Sequence, residues 1–120
     1  MNNESPPFVY ADPDSIEQVD KGIKRQFLGY GPELMAVKVW FEEGAIGYKH
    51  NHHHTQVSYI ESGEFEVEID GEKRLMKDGD SFHVASHKSH GAVCRKAGVL
   101  IDMFSPIRED FIIGEKNENK

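Results

Sequence analysis

Short stretches of alternating apolar and polar residues recur along the chain roughly every eight to twelve residues, with turn-forming residues between them. The clearest are residues 23–28, 35–41 and 65–70, and almost no segment shows helical periodicity. Asp70 and Gly71 form a typical hairpin turn pair. This spacing predicts an all-β fold, either an antiparallel barrel or a double-sheet jelly roll.

The remaining elements follow from the same patterns. We expect further strands at residues 57–60, 75–76 and 81–84, with turns at residues 61–64 and 78–79. A last hairpin is expected from residues 93–95 to 99–104, turning at residues 96–98. The only helical turn predicted is at residues 107–113, after Pro106.

With 120 residues, the chain is expected to form one domain that buries roughly two thirds of its unfolded surface. We predict an irregular N-terminal arm at residues 1–15, a barrel at residues 16–113 and a disordered tail at residues 114–120. Residues 8–10 are the only apolar group of the arm, and they could add a strand to a neighbour's sheet or pack against this barrel. Cys94 is the only cysteine, so no disulfide can form within the chain, and we expect it to be buried in a strand.

Charge and hydropathy exclude several partners. A formal net charge of −7 opposes binding to nucleic acid or to anionic lipid, and no apolar run approaches the ~20 residues that span a bilayer. We therefore expect a protein that binds neither nucleic acid nor membrane. The lone cysteine and the absence of a charged-then-apolar leader predict a cytoplasmic location. An anionic substrate would need a local positive centre, such as a metal or an arginine.

Histidines are concentrated between Gly44 and Gly63. Because side chains alternate along a strand, His50 and His52 share one face, and Gln56 has the same parity. His90 is a candidate fourth ligand, and three imidazoles with one oxygen donor suit a divalent transition metal. A solvated histidine-rich loop is the alternative, and Gln56 could be only a hydrogen-bonding side chain on a barrel wall.

Four other histidines are not expected to bind a metal. His53 has the wrong parity, and His54 is expected to face the outside of the loop. His83 and His87 are expected at the rim of the site or, as the simpler interpretation, on the solvated surface.

The spacing of these residues resembles the two cupin motifs. Five residues separate Gly44 from His50, one separates His50 from His52, three separate His52 from Gln56, and six lead to Gly63. Gln56 stands where cupins usually have glutamate. The second motif is matched by Gly79 and His90, although Ala85, His87 and Cys94 replace its usual proline, glycine and asparagine. The resemblance covers residues 22–111.

A single-domain cupin is implied, with a double-stranded β-helix fold. The resemblance makes His50, His52, Gln56 and His90 the ligands of one divalent transition metal, with nickel placed first and iron, zinc and manganese as alternatives. A neutral amide in place of a carboxylate leaves such a site more electropositive, which favours an anionic ligand.

Residues 91–111 resemble the corresponding segment of the KdgF-type pectin-degradation cupins, which also carry a glutamine ligand. This resemblance implies conversion of 4,5-unsaturated uronate monosaccharides, released by pectin or alginate lyases, to linear ketouronates. It implies catalytic roles for Asp102 in proton transfer, for Arg108 in clamping the substrate and for Phe104 as an apolar wall. Asp102 and Phe104 share parity with Leu100, so one strand face could carry both into the barrel.

Other interpretations remain open. Asp102 could bond a loop backbone, Phe104 could belong to the core, and Arg108 could pair with Glu109 or Asp110. A metal-dependent oxygenase of a small organic substrate, or a non-catalytic cupin that binds a sugar or small acid, could share the same metal ligands. Cupins of this size are often homodimers, so we expect a homodimer.

Overall fold

Two long strands organise residues 3–112, the part of the chain that the computed structural model describes. The strands in this part are β1 (Glu17–Asp20), β2 (Ile23–Gly31), β3 (Leu34–Phe41), β4 (Ile46–His50), β5 (Thr55–Ile69), β6 (Glu72–Lys77), β7 (Ser81–Val84) and β8 (His90–Ser105). A 3-10 turn, Pro13–Ser15, precedes them, and a short helix, α1 (Glu109–Ile112), follows.

The longest strand, β8, is the centre of the sheet. It pairs antiparallel with β3, β4 and β5, and β5 pairs in turn with β6 and β7. The strands β1 and β2 extend the sheet beyond β3. The predicted all-β jelly roll with a C-terminal helical turn is therefore confirmed.

Strand register arranges the inward side chains in rows across the barrel wall, because residues of equal parity face the same side. One row runs from β2 to β5 through Phe27, Val37, Asp102 and Ser58. The neighbouring row runs from β1 to β5 through Glu17, Arg25, Val39, Leu100 and Ile60. Polar and charged groups thus share the barrel interior with aliphatic ones.

The apolar core fills the rest of the barrel. Met35, Val37, Ile60 and Phe65 are almost completely buried, and the ring of Phe41 packs edge-on against Phe65 at a centroid distance of 5.1 Å. Burial of such side chains supplies roughly 1.5–3 kcal/mol each relative to exposure.

Two predicted turns are wrong. The segment at residues 61–64 is part of β5, and the segment at residues 96–98 is part of β8. Gly63, with φ of 95°, lies against Gly98, and the register between the two strands shifts there. A Cβ on Gly98 would lie 2.0 Å from the carbonyl oxygen of Ser62. These glycines permit a close strand crossing at a bulge, which sequence patterns do not distinguish from turns.

The arm does not form a strand within residues 3–12, and the side chains of Phe8 and Tyr10 are 79% and 85% exposed. Packing of this apolar group against its own barrel, one of the two alternatives, is therefore wrong. Cys94 is buried in β8, as predicted. The expected disordered tail lies outside the described residues. No helix within residues 3–112 has the length and apolar character needed to cross a membrane.

Candidate metal centre and active site

Three histidines from three strand ends or loops converge at one end of the barrel. His50 ends β4, His52 lies in the loop before β5, and His90 begins β8, where it pairs with His50. The ring centroids of His50 and His90 are 4.4 Å apart, and those of His52 and His90 are 4.9 Å apart. One nitrogen from each ring lies within 4.8 Å of the other two, so the three can hold one metal ion.

Backbone carbonyls fix the tautomer of all three rings. Nδ1 of His50 contacts the carbonyl oxygen of Tyr48 at 2.9 Å, and Nδ1 of His90 contacts that of Lys88 at 3.0 Å. Nδ1 of His52 makes the equivalent contact within its own loop, at 3.0 Å. Because a carbonyl only accepts, each Nδ1 carries the proton and each Nε2 presents a lone pair.

The Nε2 atoms fit a metal. Nε2 of His90 is buried and has no hydrogen-bond partner. Oε1 of Gln56 faces Nε2 of His52 at 3.2 Å, although both are acceptors when Nδ1 of His52 is protonated. Two facing lone pairs repel unless a cation lies beside them, so the donor set suits a divalent ion held by His50, His52, His90 and Gln56.

Burial favours the neutral form of two of the three rings. Burial is the main cause that lowers the pKa of His90 to about 4, against a smaller raising effect of its bond to Lys88. The pKa of His52 is lowered as well, by burial first and by the positive charge of Arg108 second. Neutral imidazole is the form that binds metals, so both rings are ready to bind an ion at neutral pH.

A chain of hydrogen bonds connects the histidine cluster to the carboxylate that was predicted to be catalytic. Nε2 of Gln56 donates to Oγ of Ser58 at 2.9 Å, and that hydroxyl donates to Oδ1 of Asp102 at 2.5 Å. Because the amide group of Gln56 donates to Ser58, its oxygen must point to His52. Gln56 therefore faces His52 of the histidine cluster with its oxygen, and its nitrogen is connected to Asp102 through Ser58.

Asp102 has an unusual carboxyl group. Burial raises its pKa to about 6, while the bond from Ser58 and the charge of Arg108 act in the opposite direction. A carboxyl group that titrates near neutrality can accept and return a proton under physiological conditions. The alternative that Asp102 bonds a loop backbone is not what the structure shows, since its partner is Ser58.

Arg108 and two phenylalanines form the opposite side of the site. Arg108 makes two hydrogen bonds to Asp110, from Nε at 3.0 Å and from Nη2 at 2.8 Å. Its guanidinium carbon lies 5.1 Å from the ring centroid of Phe104 and 4.1 Å from that of Phe111. Phe104 is buried and also contacts the His52 ring edge-on, at a centroid distance of 5.8 Å. Phe104 thus belongs to the core and to the site at once.

A cavity of about 210 Å³ brings most of these groups together. It is lined mainly by apolar side chains, and its polar and charged lining residues are His50, Gln56, His90, Asp102, Arg108 and Arg25. Ser58 and Arg25 received no role from the sequence. Ser58 has the same parity as Gln56, which is a signal for an inward side chain, but nothing in the sequence places it opposite Asp102.

The predictions for the four histidines outside the cluster are confirmed for three of them and wrong for one. His83 and His87 are exposed, in agreement with the simpler interpretation, and His53 is exposed as well. The expectation for His54 is wrong, because its side chain is 7% exposed and its ring lies 6.5 Å from that of Phe104. The loop folds inward over the barrel mouth, and one nitrogen of His54, Nδ1, is buried there without a partner.

Fold and site together define a class of protein. The family model for the cupin domain matches residues 37–104, which include Gln56, His90, Asp102, all of β5 and all of β8 except its last residue. The chain belongs to the cupin family, and it is a single-domain cupin with a histidine cluster able to bind a metal.

Particular relatives narrow this class. The chain is 46% identical over 98 residues to the pectin degradation protein KdgF of Dickeya dadantii (strain 3937), across 80% of this chain and 89% of that protein. Among solved structures, KdgF from Halomonas sp. is 44% identical and superposes with a TM-score of 0.78, across 80% of this chain and 89% of that one. An RmlC-like cupin from Shewanella frigidimarina NCIMB 400 is 52% identical with a TM-score of 0.88, across 91% and 98%. The predicted resemblance to the KdgF-type cupins is confirmed.

Proposed function

We propose that this protein opens the ring of 4,5-unsaturated uronate monosaccharides and so forms linear ketouronates. The observation that carries this proposal is Asp102, whose carboxyl group lines the same cavity as the histidine cluster and has a pKa of about 6. Homology to the pectin degradation protein KdgF supports the substrate class.

The reaction is an isomerisation and needs no oxidant. The anomeric hydroxyl loses its proton, a carbonyl forms at C1 as the bond from C1 to the ring oxygen breaks, and the electron pair passes to the ring oxygen. Protonation at C4 then gives a ketone at C5. One proton leaves and one arrives, so a single residue that exchanges protons near neutral pH can serve both steps.

Asp102 fits that role. Its ionised form accepts the proton of the anomeric hydroxyl, and its protonated form delivers a proton to C4. Ser58 holds Oδ1 through a 2.5 Å hydrogen bond, which leaves Oδ2 for the substrate. Proton transfer by a positioned side chain typically accelerates a reaction by about 10²–10⁴-fold.

The remaining groups bind and orient the sugar. His50, His52, His90 and Gln56 would hold a divalent metal, which supplies a Lewis acid for the oxygen on which negative charge develops. Phe104 gives the ring an apolar wall. Arg108, already held by Asp110, would contact a substrate hydroxyl or carboxylate oxygen beside Phe104.

The direct test uses protein made without a histidine tag, loaded with one divalent metal at a time. Unsaturated galacturonate is added, and loss of the conjugated enol absorbance in the ultraviolet is compared with the spontaneous rate. We expect acceleration with the metal-loaded protein and a large loss of that acceleration after a chelator. No acceleration with any of nickel, iron, zinc or manganese would refute the proposal.

Two other results would assign the site differently. Oxygen uptake with a small organic substrate would indicate a metal-dependent oxygenase. Binding of the uronate without turnover, with the same affinity in Asp102→Asn, would indicate a binding protein, since binding alone does not need this carboxyl group.

A further inference from the structure

Arg25 is a buried arginine with an unused donor in the site cavity. Its side chain projects inward from β2 and is 6% exposed. Nε of Arg25 donates to Glu17 at 3.0 Å, but Nη2 is buried and has no hydrogen-bond partner. The residue lines the same cavity as His50, His90 and Asp102. A guanidinium group is always charged in proteins, so an unpartnered donor here is costly.

The surroundings of Arg25 orient its guanidinium group. Its guanidinium carbon lies 5.2 Å from the ring centroid of Phe27 and 4.3 Å from that of Phe111. Arg108 contacts the same Phe111 ring, so both guanidinium groups lie beside one aromatic ring. Nε and Nη2 of Arg108 are already bonded to Asp110, whereas Nη2 of Arg25 remains available.

We propose that Arg25 binds the carboxylate of the substrate, so that Arg25 determines specificity for uronates over neutral sugars. The inference rests on the proposed function for the identity of the anion. A carboxylate would accept a hydrogen bond from Nη2. Its negative charge would also be attracted by the two positive charges of Arg25 and Arg108 beside Phe111. Arg108 would then act on a hydroxyl. Glu17 lies in register with Arg25 and fixes it from the side of β1.

The test compares an anionic ligand with a neutral ligand of the same shape. Isothermal titration calorimetry measures binding of galacturonate, and of galacturonamide as its neutral isostere, to the metal-loaded protein. The variants are Arg25→Gln, which removes the charge, and Arg25→Lys, which keeps the charge but not the planar fork. Arg95→Gln is the control, because Arg95 is an exposed arginine paired with Glu66 on the outer surface. Steady-state kinetics with unsaturated galacturonate give KM and kcat for each.

We expect Arg25→Gln to weaken galacturonate binding, and to raise KM, by about 10- to 100-fold. Galacturonamide binding and kcat should change by less than about threefold, and Arg25→Lys should fall between Arg25→Gln and the wild type. A purely structural role would instead change both ligands equally. Unchanged galacturonate affinity in a folded variant, or no preference of the wild type for galacturonate over its amide, would overturn the inference.

Two further points keep the result interpretable. If Arg25→Gln alone unfolds because the ion pair between Arg25 and Glu17 is lost, the double variant Glu17→Gln/Arg25→Gln removes both charges together and takes its place. If the wild type fails to convert unsaturated galacturonate, the proposed function is refuted. The calorimetric comparison of the two ligands still decides whether Arg25 binds a carboxylate.

Discussion

The hydroxyl group of Ser58 donates to Asp102 at 2.5 Å while its oxygen accepts from Gln56 at 2.9 Å. A serine hydroxyl has one proton, so the direction of this chain depends on Gln56 being a donor. A glutamate at that position could not donate, and it would compete with Asp102 for the single proton of Ser58. The family's more common glutamate is therefore incompatible with this carboxylate arrangement.

Gln56→Glu should consequently keep the metal and lose activity. We expect kcat/KM to fall at least about tenfold, because the added negative charge repels the anionic substrate and the bond to Asp102 is weakened. Metal content by mass spectrometry and the ultraviolet assay measure the two effects separately. Retained activity in the metal-loaded variant would show that the amide is dispensable.

The pH dependence of activity should follow Asp102. Since the ionised form accepts the first proton, kcat/KM should fall about tenfold per pH unit below the pKa of about 6. The bond from Ser58 lowers this pKa, so Ser58→Ala should move the acidic limb to higher pH. Ser81→Ala, an exposed serine on β7, is the control. An acidic limb at the same pH in Ser58→Ala would contradict this assignment.

Stability should depend on the same group. Because the pKa of Asp102 is raised in the folded state, its contribution is fully present below the unfolded value of 3.8 and is lost as pH rises through about 6. The unfolding free energy of Asp102→Asn, relative to that of the wild type, should therefore be about 3 kcal/mol higher at about pH 7 than at about pH 3. Urea denaturation of both metal-free proteins measures this difference, in which the histidine titrations cancel. A pH-independent difference would indicate an ordinary pKa.

Metal binding should depend on His90 and not on nearby exposed histidines. His90→Ala removes a buried ligand, so the metal content after gel filtration should fall at least about tenfold. His83→Ala removes an exposed histidine of β7 and should retain about one ion per chain, as the wild type should. Equal metal loss in both variants would mean that binding is not specific to this cluster.

The contact of Gly98 with β5 should be essential for stability. In Gly98→Ala the new methyl group would lie 2.0 Å from the carbonyl oxygen of Ser62, which forces the strands apart. We expect a loss of about 1–3 kcal/mol or more. Gly31→Ala meets nothing within 4 Å and should change stability by less than about 1 kcal/mol. Thermal denaturation of the two variants compares these costs.

Strand parity predicted much of the site. His50, His52 and Gln56 were candidates from their spacing. The roles of Asp102 and Phe104 came from the resemblance to the KdgF-type cupins, and their shared parity indicated only that one strand face could carry both into the barrel. The positions of Ser58 and Arg25 depend on which strands pair and in what register. These are long-range properties that alternation within one strand does not contain.

Glycine patterns were misleading for a related reason. Gly63 and Gly98 satisfy the local signals of turns, but each lies within a long strand and permits the close approach of the other. His54 was misplaced because the inward fold of its loop depends on Phe104 and the segment after it. Only the tertiary packing distinguishes these cases.

The length of β8 has a consequence for how this protein tolerates change. Its 16 residues would extend over roughly 50 Å if straight, whereas the longest dimension of the molecule is 37 Å, so the strand curves around the cavity. It carries His90 at one end and Asp102 near the other. The sequence around exposed Lys96 looks like a permissive loop. Inserting a single residue there would make every β8 side chain on one side of the insertion point to the opposite face of the sheet. Either His90 or Asp102 would then turn outward, so we expect a one-residue insertion at this surface position, remote from the cavity, to disrupt the site.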